Sequence, residues 1–95
     1  MHETSIEDRL RNRSVKSVVS TTMAKLQLPR GPLGGGLASH GPLSAGPFLS
    51  ARYQNVVDAG LTELTFGELR DKSERLYMQL MQGFAYVHDK TGINP

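Results

Sequence analysis

The segment from Pro29 to Ser50 limits the fold of this chain more than any other segment, because Gly and Pro supply ten of its 22 residues. Proline fixes the backbone angle φ and has no N–H to donate, so the segment is predicted to be an extended, non-helical arm. It contains three copies of one pattern, in which Gly-Pro precedes a large apolar residue: Gly31-Pro32-Leu33, Gly41-Pro42-Leu43 and Gly46-Pro47-Phe48.

We expect the apolar residues of this Gly/Pro-rich arm to insert into shallow pockets on a partner protein: Leu33, Leu43 and Phe48. A spacer gains nothing from repeated large apolar side chains, and proline reduces the entropy that an arm loses on binding. The alternative is that residues 29–50 are a flexible linker.

The length and composition of the chain restrict its class. Its 95 residues are enough for at most one small domain. It has no cysteine, which excludes disulfides and thiolate metal sites. We expect no membrane span and no signal peptide, because no apolar run reaches roughly 20 residues and the first residues lack a basic and apolar pattern. The net charge of +2 is too small to direct the whole molecule to nucleic acid, and no cellular compartment is indicated.

Residues 1–28 are predicted to form a basic N-terminal helical segment. Ser5 followed by Asp8 is a helix-capping signal, and Ile6 and Leu10 lie one turn apart. A second apolar set lies almost on the opposite face of a helical wheel: Val15, Val19, Met23 and Leu26. One straight helix cannot bury both sets on the same partner, so we expect a break near residues 12–14. A cluster of β-branched residues keeps a short strand as the alternative.

The C-terminal region, residues 51–95, is predicted to contain two helices. Ser50 is expected to cap the first, which is short and ends near Gly60, where glycine can adopt a left-handed conformation. On this helix Tyr53, Val56 and Val57 are expected to share an apolar face.

The second helix begins with a capping box, since Thr65 and Glu68 can accept hydrogen bonds from each other's backbone N–H groups. We expect one uninterrupted helix within residues 62–95, which ends near Lys90 and is terminated by Gly92. Its apolar residues fall within one arc and form a stripe: Phe66, Leu69, Leu76, Tyr77, Leu80, Phe84 and Val87.

We expect this stripe to bind another chain, because the rest of the sequence offers few apolar residues to cover it. The expected structure therefore has little independent core, and its partners are other protein subunits in a homo- or hetero-oligomer. The alternative is that the stripe is the internal core of the chain.

A short basic run precedes the arm: Arg9, Arg11, Arg13 and Lys16. It can contact phosphate groups or an acidic protein surface. Acidic residues lie beside it, and no aromatic residue precedes Phe48, so stacking platforms for nucleic-acid bases are missing from this region. A solvated helix face is the alternative interpretation.

The sequence predicts no catalytic, metal or cofactor site. Its three histidines are too dispersed for a zinc site, and no cysteine can complete one. The run of three glycines is not followed by the lysine and Ser/Thr of a phosphate-binding loop.

We therefore expect a mainly α-helical, non-enzymatic protein without a cofactor. The favoured hypothesis is a structural or adaptor subunit that docks through its arm and its amphipathic helix in a larger protein assembly, such as a phage particle or a secretion apparatus. The alternative is a small dimeric regulatory protein whose basic run contacts nucleic acid.

Overall fold

The computed structural model describes residues 5–27 and 41–95, and in these residues the chain forms five helices. They are α1 (Ile6–Leu10), α2 (Val15–Gln27), α3 (Gly41–Asp58), α4 (Phe66–Lys72) and α5 (Glu74–Thr91). No strand occurs in these two ranges, apart from a single antiparallel bridge between Ser14 and Thr65. The predicted mainly α class is confirmed.

The N-terminal segment bends where the two apolar sets of its sequence change face. Ser5 caps α1 as predicted, because its hydroxyl oxygen accepts a hydrogen bond at 3.1 Å from the backbone N–H of Asp8. The chain then turns through residues 11–14, and α2 begins at Val15. The break lets both sets reach the core, since Leu10 and Val15 are both buried. The predicted break is confirmed, and a helix rather than a strand follows it.

The second half of the predicted arm is helical, because α3 includes residues 41–50. The prediction of an extended arm is therefore wrong for these residues, whereas residues 29–40 lie outside the described part of the chain. Ser50 does not cap a helix either. It lies within α3, where its hydroxyl donates to the carbonyl oxygen of Pro47 at 3.4 Å.

Position and packing explain why α3 forms despite its prolines. Pro42 lies in the first turn, where backbone N–H groups have no acceptor within the helix in any case. Pro47 lies in the interior, where proline costs about 3 kcal/mol. On the opposite face of the same turns, Ala45 and Leu49 are fully buried, and burial of one Leu contributes about 1.5–3 kcal/mol. With the fully buried Val56 of the same helix added, tertiary packing outweighs the local preference of the sequence.

The end of α3 follows the prediction from Gly60. This residue has a φ of 73°, the left-handed conformation that favours glycine. Its N–H donates to the carbonyl oxygen of Val57 at 2.9 Å, and the N–H of Leu61 donates to that of Val56 at 3.1 Å. These paired bonds are a Schellman motif, which satisfies the last carbonyl groups of the helix.

The predicted single C-terminal helix is two helices that meet at Ser73. The capping box is confirmed: Oγ1 of Thr65 accepts from the Glu68 N–H at 3.2 Å, and Oε1 of Glu68 accepts from the Thr65 N–H at 2.9 Å. At Ser73 the backbone is extended, and the hydroxyl caps α5 by accepting from the Leu76 N–H at 3.3 Å. The uninterrupted helix is a wrong prediction because this serine side chain competes with the helical backbone. Gly92, with a φ of 79°, ends α5 as predicted.

Helices α3 and α5 form an antiparallel pair at the centre of the fold. Phe48, in the first half of α3, stacks on Tyr86 near the end of α5. Asn55, near the end of α3, donates a hydrogen bond at 3.1 Å to Gln79 in the first half of α5. Helix α2 packs on α3, and α4 packs on α5, so the remaining helices cover one side of this pair.

The covered side holds one core, to which all five helices contribute. Cε of Met23 in α2 would lie 3.7 Å from a Cβ atom on Gly46 of α3. The rings of Phe66 in α4 and Phe84 in α5 have centroids 5.9 Å apart. The buried apolar residues are Leu10, Val15, Val18, Val19, Ala45, Leu49, Val56, Phe66, Leu69, Leu76, Tyr77, Leu80, Phe84, Val87 and Ile93.

This core corrects the prediction of little independent core. All seven stripe residues are between 0% and 7% exposed, and they are covered within the chain. Much of the cover comes from α3. The sequence pattern predicts an extended arm for the first half of α3. The core expected from the sequence therefore leaves out the apolar residues of that half.

The turn between α1 and α2 is hydrogen-bonded to the start of α4, and we call this connection the clasp. It consists of three backbone bonds: Val15 N–H to Leu64 O at 3.0 Å, Phe66 N–H to Arg13 O at 3.1 Å, and Gly67 N–H to Arg11 O at 2.9 Å. The clasp and the capping box together satisfy the N–H groups at the start of α4.

Replacing Gly83 with Val is expected to separate α3 from α5. A Cβ atom at this position would lie 2.9 Å from Cδ1 and 3.5 Å from Cα of the buried Leu49, so a side chain has no room. We expect Gly83→Val to lower the free energy of unfolding by about 2–3 kcal/mol, measured by urea unfolding with circular dichroism.

The matched control is Ala85→Val, which introduces the same side chain on the exposed face of α5. It is expected to cost less than about 1 kcal/mol, since it carries only the lower helix propensity of valine. Equal losses for the two variants would contradict the close contact at Gly83.

Ser73→Ala is expected to destabilise the protein by about 1 kcal/mol, because it removes the cap of α5. Ser73→Asp should retain the stability, since aspartate caps helices equally well. Ser20→Ala, at an exposed site within α2, is the control and should cause no loss. If Ser73→Ala is as stable as the natural chain in urea unfolding, the break between α4 and α5 does not depend on this cap.

Candidate functional site

The side of the α3–α5 pair that faces away from the other helices lies at the surface, and we call it the outer face. Its residues recur at helical spacing: Ser44, Phe48, Arg52 and Asn55 from α3, and Arg75, Gln79, Gln82, Tyr86 and Lys90 from α5. Along α5 it extends about 22 Å at 1.5 Å per residue. Three of its residues are cations, and none is Asp or Glu.

Four side chains form a continuous stack on the outer face. The guanidinium carbon of Arg52 lies 3.6 Å from the ring centroid of Phe48. The Phe48 ring stacks in turn on Tyr86, with 4.1 Å between centroids and 22° between planes. Nζ of Lys90 lies 5.5 Å from the centroid of Tyr86. A cation therefore lies at each end of two stacked rings, an arrangement that is favourable because ring faces carry partial negative charge.

Arg52 is half-buried, and its guanidinium is held by two contacts. Nη1 donates a hydrogen bond at 3.2 Å to the carbonyl oxygen of Phe48, and the ring of Phe48 supports the guanidinium plane. Nε is buried without a hydrogen-bond partner. None of the ion pairs in the described residues includes Arg52. A partly buried cation that has no acidic partner is a favourable place to bind an acidic group.

Neutral polar groups of the outer face bond to each other across the two helices. Nδ2 of Asn55 donates to Oε1 of Gln79 at 3.1 Å. The hydroxyl groups of Ser44 and Tyr86 are 3.0 Å apart and share a hydrogen bond. These contacts fix the positions of the rings and amides, so the arrangement of the outer face is built into the fold.

Away from the residues of the outer face, an open groove of about 540 Å³ lies between the α1–α2 turn and α4. Its arginines already have acidic partners: Arg11 pairs with Asp8 at 2.9 Å, and Arg70 pairs with Glu7 at 3.9 Å. The N–H groups at the start of α4 are occupied by the clasp and the capping box. The groove is therefore a weaker candidate for a binding site than the outer face.

A small cavity of about 20 Å³ beside this groove reaches Tyr77 of α5 and is also lined by Glu7 and Arg70. Tyr77 is 4% exposed. Burial raises the pKa of its phenol above the usual 10.0, and the Glu7 carboxylate raises that pKa further, against the opposing effect of Arg70. The phenol therefore keeps its proton to a higher pH in the folded chain than in the unfolded chain.

The raised pKa predicts a loss of stability in alkaline solution. In the unfolded chain Tyr77 loses its proton near pH 10.0, whereas the folded chain retains it to higher pH. Its contribution to stability is thus complete below pH 10.0 and is lost as the pH rises through the folded-state pKa. We expect Tyr77→Phe to flatten this decline in urea unfolding across that range. Tyr53→Phe is the control, and identical profiles for both variants would contradict the assignment.

The predicted basic run is exposed and spread over α1, the turn and α2: Arg9, Arg11, Arg13 and Lys16. Two of its members have acidic neighbours, since Arg11 pairs with Asp8 and Lys16 lies 3.7 Å from Glu63. Such exposed pairs are weak, but they lower the local positive charge available to phosphate groups. The hypothesis of phosphate or acidic-surface contact stays a prediction.

The predicted partner-binding residues lie in different environments. Phe48 lies on the outer face, and Leu43 belongs to the first turn of α3. Leu33 lies outside the described residues. The stripe residues face the core: Phe66, Leu69, Leu76, Tyr77, Leu80, Phe84 and Val87. In the folded chain the stripe has almost no free surface to offer to another protein.

Arg52, Tyr86 and Lys90 are not among the site residues predicted from the sequence. A signal for them exists, because Phe48 and Tyr86 each precede a cation by four residues, which places ring and cation on one helix face. For Phe48 this signal has meaning only within a helix, and the neighbouring prolines predict otherwise.

Within residues 5–27 and 41–95, no helix combines the length and apolar character needed to cross a bilayer. In the same residues, no three side chains of the metal-binding types are grouped so that they could hold an ion. Comparison with known proteins identifies no matching family, no matching curated protein and no matching solved structure.

Proposed function

We propose that this protein is a non-enzymatic adaptor subunit that binds a different protein through the outer face of its α3–α5 pair. The observation that carries the proposal is the stack of Arg52, Phe48, Tyr86 and Lys90. Aromatic residues and arginine are enriched at protein interfaces, and tyrosine and arginine often dominate their binding energy. A larger assembly, such as a phage particle or a secretion apparatus, is a setting in which such a subunit would act.

The side chains of the stack are already held in place in the folded chain, which favours binding. Immobilising a long side chain at an interface costs about 0.5–1.5 kcal/mol. Arg52 is already held by the Phe48 ring and carbonyl oxygen, and Tyr86 by its bond to Ser44. A partner therefore meets side chains that have lost much of their freedom during folding.

The charge of the outer face favours a different protein over a second copy of this chain. In a two-fold symmetric dimer the same patch meets itself. The cations Arg52, Arg75 and Lys90 would then lie opposite like charges, which opposes association.

The alternative function, a nucleic-acid-associated protein, finds less support in these contacts. Arg52 and Tyr86 both lie close to the centroid of Phe48, so they must occupy its two faces. A base needs a free ring face to stack, and Phe48 offers none. The exposed basic run is the remaining candidate for phosphate contact.

The proposal can be tested with a photo-crosslinking residue placed at Gln82, an exposed position on the outer face. We expect irradiation of cells that express the protein to give a covalent adduct with one other protein. Tyr86→Ala should reduce the adduct at least about fivefold, because a tyrosine at the centre of an interface is often an anchor of binding. Urea unfolding of this variant shows whether its fold is retained.

The matched control places the same crosslinking residue at Ser20, which is exposed on α2 and lies outside the outer face. Adducts in equal yield at both positions would show that the capture does not depend on the outer face. An adduct only at Ser20, or only with nucleic acid, would contradict the proposal.

A further inference from the structure

We infer that the partner presents a carboxylate group, from an Asp or Glu side chain, to Arg52. This inference rests on the proposed function and adds the chemistry by which the outer face recognises its partner. A carboxylate that reaches the exposed edge of the guanidinium would lie next to the stacked rings of Phe48 and Tyr86.

The donors of Arg52 define where the acid binds. A guanidinium has five N–H donors. One, on Nη1, is used by the carbonyl oxygen of Phe48, and the one on Nε is buried without a partner. The donors left for an external group are the second N–H of Nη1 and the pair on Nη2. Planar N–H pairs of this kind match the two oxygens of a carboxylate, and such charge-assisted bonds are stronger than neutral ones.

The surroundings of Arg52 favour an anion. The ion pairs of the described residues all involve α1, α2, α4 or the loop before α4: Arg11–Asp8, Lys16–Glu63 and Arg70–Glu7. The outer face keeps Arg52, Arg75 and Lys90, and the one acid at its edge along α5, Asp89, forms no ion pair with them. A partner that brings an acidic group therefore supplies the missing charge and excludes water from the bonds.

The test uses the full chain and a labelled peptide of about a dozen residues in which pairs of Glu alternate with single Leu. Its twin carries Gln in place of every Glu. Fluorescence anisotropy measures the affinity of each peptide for the protein. The salt concentration is about 50 mM, because screening of charges is weak under these conditions. We expect the Glu peptide to bind at least about tenfold more tightly than the Gln twin, since the neutral amide loses the charge-assisted bonds.

Arg52→Gln is expected to weaken binding of the Glu peptide about tenfold and to leave the Gln twin unchanged. Arg9→Gln is the matched control, because it removes the same charge from an exposed site on α1. We expect it to change binding of the Glu peptide less than about twofold, since Arg9 lies on α1, outside the outer face, and donates no bond to a carboxylate bound at Arg52.

Equal affinity for the two peptides would overturn the inference, and this comparison needs no variant to fold. Equal effects of Arg52→Gln and Arg9→Gln would overturn it as well. Tighter binding of a single-stranded oligonucleotide of the same charge, weakened by Arg52→Gln, would assign the outer face to nucleic acid instead.

The crosslinking assay separates this inference from the proposed function. An adduct at Gln82 that persists in the Arg52→Gln variant would support the protein-binding function and contradict the recognition of a carboxylate by Arg52. The absence of any adduct at Gln82 would contradict the proposed protein-binding function itself.

Discussion

The close contact of α3 and α5 at Gly83 is the interaction on which the rest of the structure depends. Because residue 83 has no Cβ atom, the two backbones approach until Leu49 and Arg52 lie against it. On one side this approach closes the core over Leu49. On the other side it brings the rings of Phe48 and Tyr86 to 4.1 Å, so the outer face exists only while the helices are this close. One glycine thus determines both the buried and the exposed surface of the pair.

Several elements of the fold could be predicted because their signals are local. The caps at Ser5 and Gly60 and the stop at Gly92 depend on hydrogen bonds within a few residues, and each is present. Helix α3 could not be predicted, because the cost of Pro47 is visible in the sequence whereas the burial that outweighs it depends on distant segments. The break at Ser73 was hidden for a related reason. Serine occurs both within helices and at their N-caps, so the sequence does not show whether Ser73 continues one helix or caps the next.

The candidate site could be predicted only in part. Phe48 is identified from its place after Gly-Pro, but the expected role, a hook on an extended arm, differs from the observed one in a stack between helices. Arg52 and Lys90 carry no unusual sequence pattern of their own, since cations on helices are usually solvated. Their arrangement appears only when α3 and α5 are antiparallel in one register. A site formed by two helices that are distant along the chain cannot be predicted from the sequence until their pairing is known.

The clasp has a consequence for the order of folding. It joins segments about fifty residues apart along the chain, since Ser14 bridges to Thr65. Helix α1 has five residues, too few to persist alone in water. The turn after α1 is hydrogen-bonded to the start of α4, so α1 gains this support only after the C-terminal helices have closed a long loop. Helix α1 precedes the C-terminal helices along the chain, yet it is expected to become ordered after them.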